Sequence, residues 1–268
     1  MSPCLKNFLF TPGLFVAFIF LFASCDKHYV NYLQEKTVIP PSPPLSTVHD
    51  INHYADSVNS LLPVSRISKS LVYYLGDYSF QITKYVKDNK PFLYIEDGNG
   101  SEHGNSRKYY YIKDNAINLI IESTSTLHDS TPFKTIKSYL KGDSVFYTHE
   151  KKGGDKSLTK NRPFTEIQTK PFTTITLIGF FEEALNQRGK FDLVFQGIAD
   201  CAKAKYLIFS KDEFNAYRTP IKVELEDEFV HELSTNPLRY RGEEMDIDWH
   251  LDNNNEAIYK NGRLKTKD

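Results

Sequence analysis

The sequence predicts a mainly β fold with a few short helices, α+β in class: an antiparallel hairpin meander followed by a small OB-like or α+β β-rich domain. Three observations carry that expectation. Tyr and Phe are unusually frequent, 17 and 19 copies in 268 residues, and aromatic side chains suit the pleated, half-buried surface of a strand. A twelve-residue unit running from Tyr to Glu recurs three times. Helical spacing of apolar residues is confined to short stretches. With 40% hydrophobic residues the chain can bury a real core, and its length suits one large or two modest domains. The net charge of -1 argues against a dedicated nucleic-acid binder, which carries a strong basic excess.

The first element is an address. Leu14 to Phe22 is an apolar run of nine residues. It is broken from Phe8-Leu9-Phe10 by Pro12-Gly13 and is preceded by one positive charge at Lys6. That length fits the core of a signal peptide and is short for a membrane span of about 20 residues. Small Ala23 and Ser24 then precede Cys25. A peptidase cleft that accepts an extended backbone needs little side-chain bulk there, and the next thiol can be alkylated. The segment resembles the lipobox of bacterial lipoproteins, with Phe22 where Leu is usual and Leu21 one place earlier. The resemblance covers about the first 25 residues. It implies a signal peptide over 1–24, cleavage before Cys25, and acylation of its thiol and amine. The richness in Lys, Asn, Ile and Tyr resembles envelope lipoproteins of Bacteroidota. Multiple acyl chains, at about 0.8 kcal/mol per buried CH₂, would hold such a protein on a membrane. The expected location is therefore membrane-anchored and extracytoplasmic, on the inner or outer membrane, facing periplasm or surface.

Cysteine usage agrees. Cys4 leaves with the signal, Cys25 takes lipid, and Cys201 alone remains, so no intramolecular disulfide is expected. Residues 25–48 then read as the lipidated Cys and a tether. Pro40, Pro41, Pro43 and Pro44 favour extended polyproline geometry and a semi-rigid spacer.

The region 49–165 reads as an N-terminal helix and a β-meander of three hairpins. Ile51, Tyr54, Val58, Leu61 and Leu62 recur at helical spacing, Ser46 or Thr47 can cap the start, and Pro63 ends it. The repeat follows. Tyr85-Val86-Lys87-Asp88-Asn89 leads to Phe92-Leu93-Tyr94-Ile95-Glu96. Tyr111-Ile112-Lys113-Asp114-Asn115 leads to Asn118-Leu119-Ile120-Ile121-Glu122, and Tyr139-Leu140-Lys141-Gly142-Asp143 to Phe146-Tyr147-Thr148-His149-Glu150. Asp-Asn and Gly-Asp tolerate the positive φ of tight hairpin turns, and the flanks are β-branched and aromatic. The stretches Asp97 to Arg107, Ser123 to Thr131 and Lys151 to Asn161 read as polar loops.

The region 171–268 reads as a C-terminal β-rich domain. Thr173 to Ile178, Phe191 to Gly197, Lys203 to Ser210, Pro220 to Leu225 and Glu244 to Leu251 look like strands. Phe180 to Arg188 and Glu226 to Leu233 look like short helices, stopped by Gly189 and Asn236-Pro237. Ala257 to Leu264 reads as two edge strands about Asn261-Gly262, or one strand and a turn. From Phe191 the order is three strands, a helix and two strands, which matches the oligonucleotide/oligosaccharide-binding barrel by element order.

Chemistry is sparse. Asp246-Ile247-Asp248-Trp249-His250 looks like the end of the chitinase-type glycoside hydrolase signature, but His250 stands where that family has its acid Glu. A half-buried strand with Ile247 and Trp249 inward accounts for it. Asp97 and Asn99 begin a partial calcium-loop pattern that Ser101 and Glu102 break. His231-Glu232 lacks the second His of a zinc helix, and Cys201 has no CxxC partner. No catalytic residue, cofactor or metal site is assigned. Tyr85, Tyr111 and Tyr139 read first as cross-strand packing and alternatively as a ligand-stacking face. Arg239 and Arg241 could hold an acidic group or rim the sheet. The expected function is a non-catalytic binding or structural module of the cell envelope, with the membrane, a glycan or an envelope protein as partner. The alternative is an enzyme acting on envelope or external polysaccharide.

Overall fold

The computed structural model describes residues 45–100, 104–126, 130–169, 174–201 and 204–266. The signal segment, Cys25 and the tether up to Pro44 lie outside the described residues.

Helix α1 (Val48–Leu61) starts where Thr47 and Asp50 form a reciprocal capping box, each side chain accepting from the other's backbone N–H at 3.1 Å. That satisfies two of the donors every helix start leaves open. Pro63 sits in the 3₁₀ turn Leu62–Val64 that ends it. Two short strands follow, β1 (Arg66–Lys69) and β2 (Tyr73–Leu75). The meander is then β3 (Tyr78–Lys87), β4 (Lys90–Gly100), β5 (Gly104–Lys113), β6 (Ala116–Ser125), β7 (Phe133–Lys141) and β8 (Ser144–Gly153), each antiparallel to the next.

The three hairpins are built alike. Asp88-Asn89 and Asp114-Asn115 all take positive φ between 51° and 61°, the I′ turn whose twist matches its flanking strands. Gly142 takes +62° while Asp143 stays outside that region, giving the II′ alternative. After each turn the register slips by one residue at the same place, leaving Phe92, Asn118 and Phe146 unopposed as β-bulges. The sequence repeat is thus a repeat of turn and bulge. The connections at the other end are shorter than the sequence reading has them. Asp97–Gly100 and Gly104–Arg107 belong to β4 and β5, Ser123–Ser125 to β6, and Lys151–Gly153 to β8. Asn99, Asn105, Arg107 and Lys152 are exposed on the sheet and the other polar residues there are half-buried, so polarity at these positions marks a sparsely covered strand rather than a loop.

After β8 come α2 (Lys156–Lys160), β9 (Thr165–Glu166) and α3 (Leu177–Asn186). The described portion of the expected strand Thr173–Ile178 forms a turn and the start of α3. There, burying Phe181 and Ala184 from one helical face outweighs local β propensity. Strands β10 (Val194–Cys201), β11 (Ala204–Ser210) and β12 (Arg218–Val223), helices α4 (Glu228–Thr235) and α5 (Pro237–Tyr240), and strands β13 (Met245–Leu251) and β14 (Ala257–Leu264) complete the chain. The last is one strand, not two.

These five strands run in the spatial order β10-β11-β12-β14-β13, with β12 and β14 parallel at Lys222 and Ile258. The connectivity is OB-like. The barrel seam is not a ladder: Gly242 N–H donates to Phe195 O at 2.8 Å and Phe195 N–H to Glu243 O at 3.1 Å, and the sheet stays open.

The boundary expected near Pro171 does not divide the core. Strand β12 pairs with β2 at Arg218 and Tyr74, so meander and OB-like strands share one 14-stranded sheet, and the described residues form one compact unit. Alternate residues of the meander serve opposite faces. Leu93, Ile95, Tyr111, Leu119 and Tyr139 pack under Ile51, Ala55 and Val58 of α1. Phe80, Ile82, Tyr94, Tyr110 and Ile120 face the other way, against Phe181 of α3 and Leu207, Phe209 and Ile221 of the OB-like strands. Each such burial contributes about 1.5–3 kcal/mol. Tyr73 joins the two halves, its ring tilted against Phe191 with centroids 4.4 Å apart and its hydroxyl donating to Ala184 O at 2.9 Å.

Candidate functional site

The face that carries α1 changes character along the strands. Its first cross-strand row is Tyr85-Leu93-Tyr111-Leu119-Tyr139-Tyr147. The three repeated tyrosines therefore stand in one line, two strands apart. Helix α1 lies over them. Tyr111 donates to Asn59 Oδ1 and Tyr139 to Asn52 Oδ1, each at 3.2 Å, and Tyr54 donates back to Ile112 O. Tyr111 and Tyr139 are buried, and Tyr85 is half-buried against Phe92. Burial pushes the hydroxyls of Tyr111 and Tyr139 above their usual range. In the described chain these residues pack; they do not present a stacking face.

Beyond the helix the same face is open. The row Gln81-Asp97-Arg107-Ser123-Thr135-Lys151 and, in the next, Ser79-Asn99-Asn105-Ser125-Phe133 line a groove of about 840 Å³. Most of its polar lining is hydroxyl and amide. Its single carboxylate among the described lining residues, Asp97, pairs with Arg107 at 3.0 Å. The calcium-loop reading fails there as a loop, since Asp97 and Asn99 lie within β4; Ser101 to His103 lie outside the described residues.

One end of the groove is basic and aromatic. Lys137 on β7 and Lys151 on β8 point to the same face, and the segment after α2 brings Phe164 onto them. Lys137 Nζ lies 4.9 Å and Lys151 Nζ 4.8 Å from the centre of the Phe164 ring. That is cation–π distance for both. Lys151 also donates to Lys160 O at 2.8 Å. Among the described residues neither ammonium meets a carboxylate in an ion pair. Burial and the neighbouring Lys151 charge push the Lys137 ammonium below its usual range, against a weaker opposite pull from Asp56 on α1. Beside it, Glu166 accepts from Tyr147 Oη at 3.0 Å, and Tyr147 Oη is 2.8 Å from His149 Nε2.

Other concavities are internally neutralised. In the concavity between the end of α3, Asp192-Leu193 and the β13–β14 pair, Glu244 pairs with Lys265 and Asp246 with Arg263. On the opposite face of the meander, Glu96 accepts from Lys108, Tyr78 and Tyr110 at 2.9–3.1 Å, a satisfied buried network. Among the described residues no group of His, Cys, Asp and Glu is arranged to hold a metal ion. Cys201 is an exposed thiol at the end of β10.

No protein-family model, curated protein or solved structure matches this chain. The site therefore rests on geometry. Arg239 and Arg241 are exposed at the OB-like end, Arg239 over the Tyr240 ring and Arg241 donating to Gln196 Oε1 at 3.2 Å. The structure does not bring them together with the repeated tyrosines. Asp246-Ile247-Asp248-Trp249-His250 lies in β13 with Ile247 and Trp249 turned inward and both aspartates exposed. The residues that the sequence reading missed are Lys137, Lys151 and Phe164. The two lysines carry one signal, sharing the strand parity of Tyr139 and Tyr147; Phe164 carries none. Among the described residues no helix is long and apolar enough to cross a membrane.

Proposed function

We propose that this chain is a lipid-anchored, extracytoplasmic lipoprotein whose folded region is a non-catalytic binding module for a glycan of the envelope or its surroundings. The groove across β3–β8 is its binding surface. The observation that carries this is the open half of the α1 face: rows of Ser, Thr and Asn side chains, flanked by Phe133 and Phe164, stand uncovered where the rest of that face is sealed by the helix. Hydroxyls and amides exchange hydrogen bonds with sugar hydroxyls, and aromatic rings meet the apolar faces of sugars. Glycoside hydrolysis by paired carboxylates would need two such groups across the bond, whereas the one described carboxylate of the groove is already paired with Arg107. The anchor is supported by the Ala23-Ser24-Cys25 sequence that follows the short apolar run.

The anchor is tested by metabolic labelling with an alkyne fatty acid, beside Cys25→Ala, followed by protease shaving of intact cells. Label that depends on Cys25 supports lipidation, and shaving separates a surface from a periplasmic site. No label sinks the anchor. The groove is tested by a glycan-array screen of the detergent-solubilised chain beside Asn105→Trp, which blocks the groove with bulk. Glycan binding that survives this substitution rejects the groove as the binding surface.

A further inference from the structure

We infer that the groove selects an acidic glycan, an oligosaccharide bearing carboxylate or sulfate groups, and that Lys137 and Lys151 are the residues that read the acid. The inference rests on the glycan-binding reading above and deepens it.

Two ammonium groups lie within 5 Å of one ring centre, and the charge of Lys151 acts on Lys137. Both side chains are half-buried. Like charges held together and partly desolvated destabilise one another. The usual remedy is a carboxylate paired with them, but among the described residues neither forms an ion pair, and Asp56 on α1 exerts only the weakest of the three influences on Lys137. Several other half-buried lysines do meet a carboxylate: Lys84 with Glu182, Lys108 with Glu96, Lys205 with Glu226, Lys222 with Glu224. Among the described residues, Lys137 and Lys151 stand without an ion pair at the end of an open groove. An anion seated there gains two charge-assisted hydrogen bonds and removes the repulsion. Phe164 holds both lysines by their cationic ends, so the pair is preorganised and little side-chain entropy is lost on binding.

The rest of the lining narrows the class. A nucleic-acid track needs a run of free cations along the backbone, but Arg107 is engaged by Asp97 and most other polar lining side chains are neutral. Charge is concentrated at one end, with Lys134, Lys156 and Lys160 nearby. Neutral hydrogen-bonding rows leading to a two-lysine end suit a sugar chain with an acidic substituent.

The test is calorimetric titration of the solubilised full chain with four probes of similar length: an oligogalacturonate, a heparin-type oligosaccharide, a neutral galacto-oligosaccharide and an oligodeoxythymidylate. The expected result is binding of at least one acidic oligosaccharide, weakening as salt rises. Lys137→Met and Lys151→Met should each weaken it by about tenfold, the size of one lost charge-assisted hydrogen bond. Melting curves accompany each variant, and Lys137→Gln is read in place of any methionine variant that fails to fold. Removing an unpaired ammonium should leave the melting temperature unchanged or raised, so that lost binding is not lost fold. The carboxylate and sulfate arms assign the acidic group. Equal binding of the neutral probe, unmoved by the lysine variants, overturns the inference and leaves the glycan reading standing. Lysine-dependent binding of the oligodeoxythymidylate alone overturns both, as does binding of none of the four.

Discussion

The Tyr139 hydroxyl donates to Asn52 Oδ1 over 3.2 Å, tying the third hairpin to the helix that covers it. Tyr111 makes the same bond to Asn59, about two turns further along α1. Repeating units of the sheet are thus read by a helix whose polar side chains recur at near-integral turns. Asn52→Ala should cost about 1 kcal/mol, leaving the Tyr139 hydroxyl without its partner. Ile51→Ala, beneath the same helix, should cost about 2–5 kcal/mol through lost burial and a cavity. Chemical denaturation checks both. If Ile51→Ala costs less than Asn52→Ala, α1 is not seated on the sheet by its apolar face.

The turn geometry makes a second prediction. Asn115 sits at φ 61° in the second hairpin. Asn115→Ala should cost roughly 1–2 kcal/mol because a Cβ without a compensating polar group is disfavoured in the left-handed region. Asn115→Gly should be neutral or stabilising, since Asp-Gly is a favoured I′ pair. Paired thermal melts of the two variants decide it, and a destabilised glycine variant would rule out the turn type.

Acid sensitivity should pass through Glu182 on α3. Burial opposes its charge, but hydrogen bonds from Tyr94 and Lys84, and the Lys84 charge, hold its carboxyl below the usual range. A carboxyl whose folded pKa is depressed lends stability that is present above its unfolded value, about 4.3, and that is lost as pH falls through the lower folded value. Glu182→Gln should therefore melt below the parent at neutral pH, with the gap closing below about pH 4. A gap independent of pH would mean that Glu182 acts by packing alone.

At the alkaline end, Tyr54 is the marker. Burial, with a smaller contribution from the Asp114 charge, pushes its hydroxyl up to about 12, while it donates to Ile112 O. A raised pKa lends stability that is present below the ordinary tyrosine value near 10 and is lost as pH rises through the folded one. Tyrosinate absorbance should rise in two phases, the exposed rings first and the buried ones only with unfolding. In Tyr54→Phe the second phase should lose one ring. A single phase at the ordinary pH would place these tyrosines in solvent.

Much of the local structure was legible because its determinants lie within a few residues of one another. Thr47 and Asp50 are three apart and cap α1. Asp88-Asn89, Asp114-Asn115 and Gly142-Asp143 make their turns by themselves. The alternation of β13 is visible in seven letters. The described part of the Thr173–Ile178 stretch shows the limit: from Thr174 its β-favouring run gives way to a turn and the start of α3 because Phe181 and Ala184, further along, find a core to enter.

By itself, then, the sequence determined a β-rich chain, its helix start, its three hairpins and an OB-like order of elements, since turn chemistry and residue period act at short range. Tertiary structure alone decided that β12 meets β2 and merges both halves into one sheet, that α1 covers the tyrosine row, and that Phe164 lands on Lys137 and Lys151. The first two depend on burying apolar area between segments far apart in the chain, and the third on the path of the segment after α2 back over β7 and β8. Such pairings are chosen by which faces fit once the elements exist, and no local pattern of residues encodes the choice.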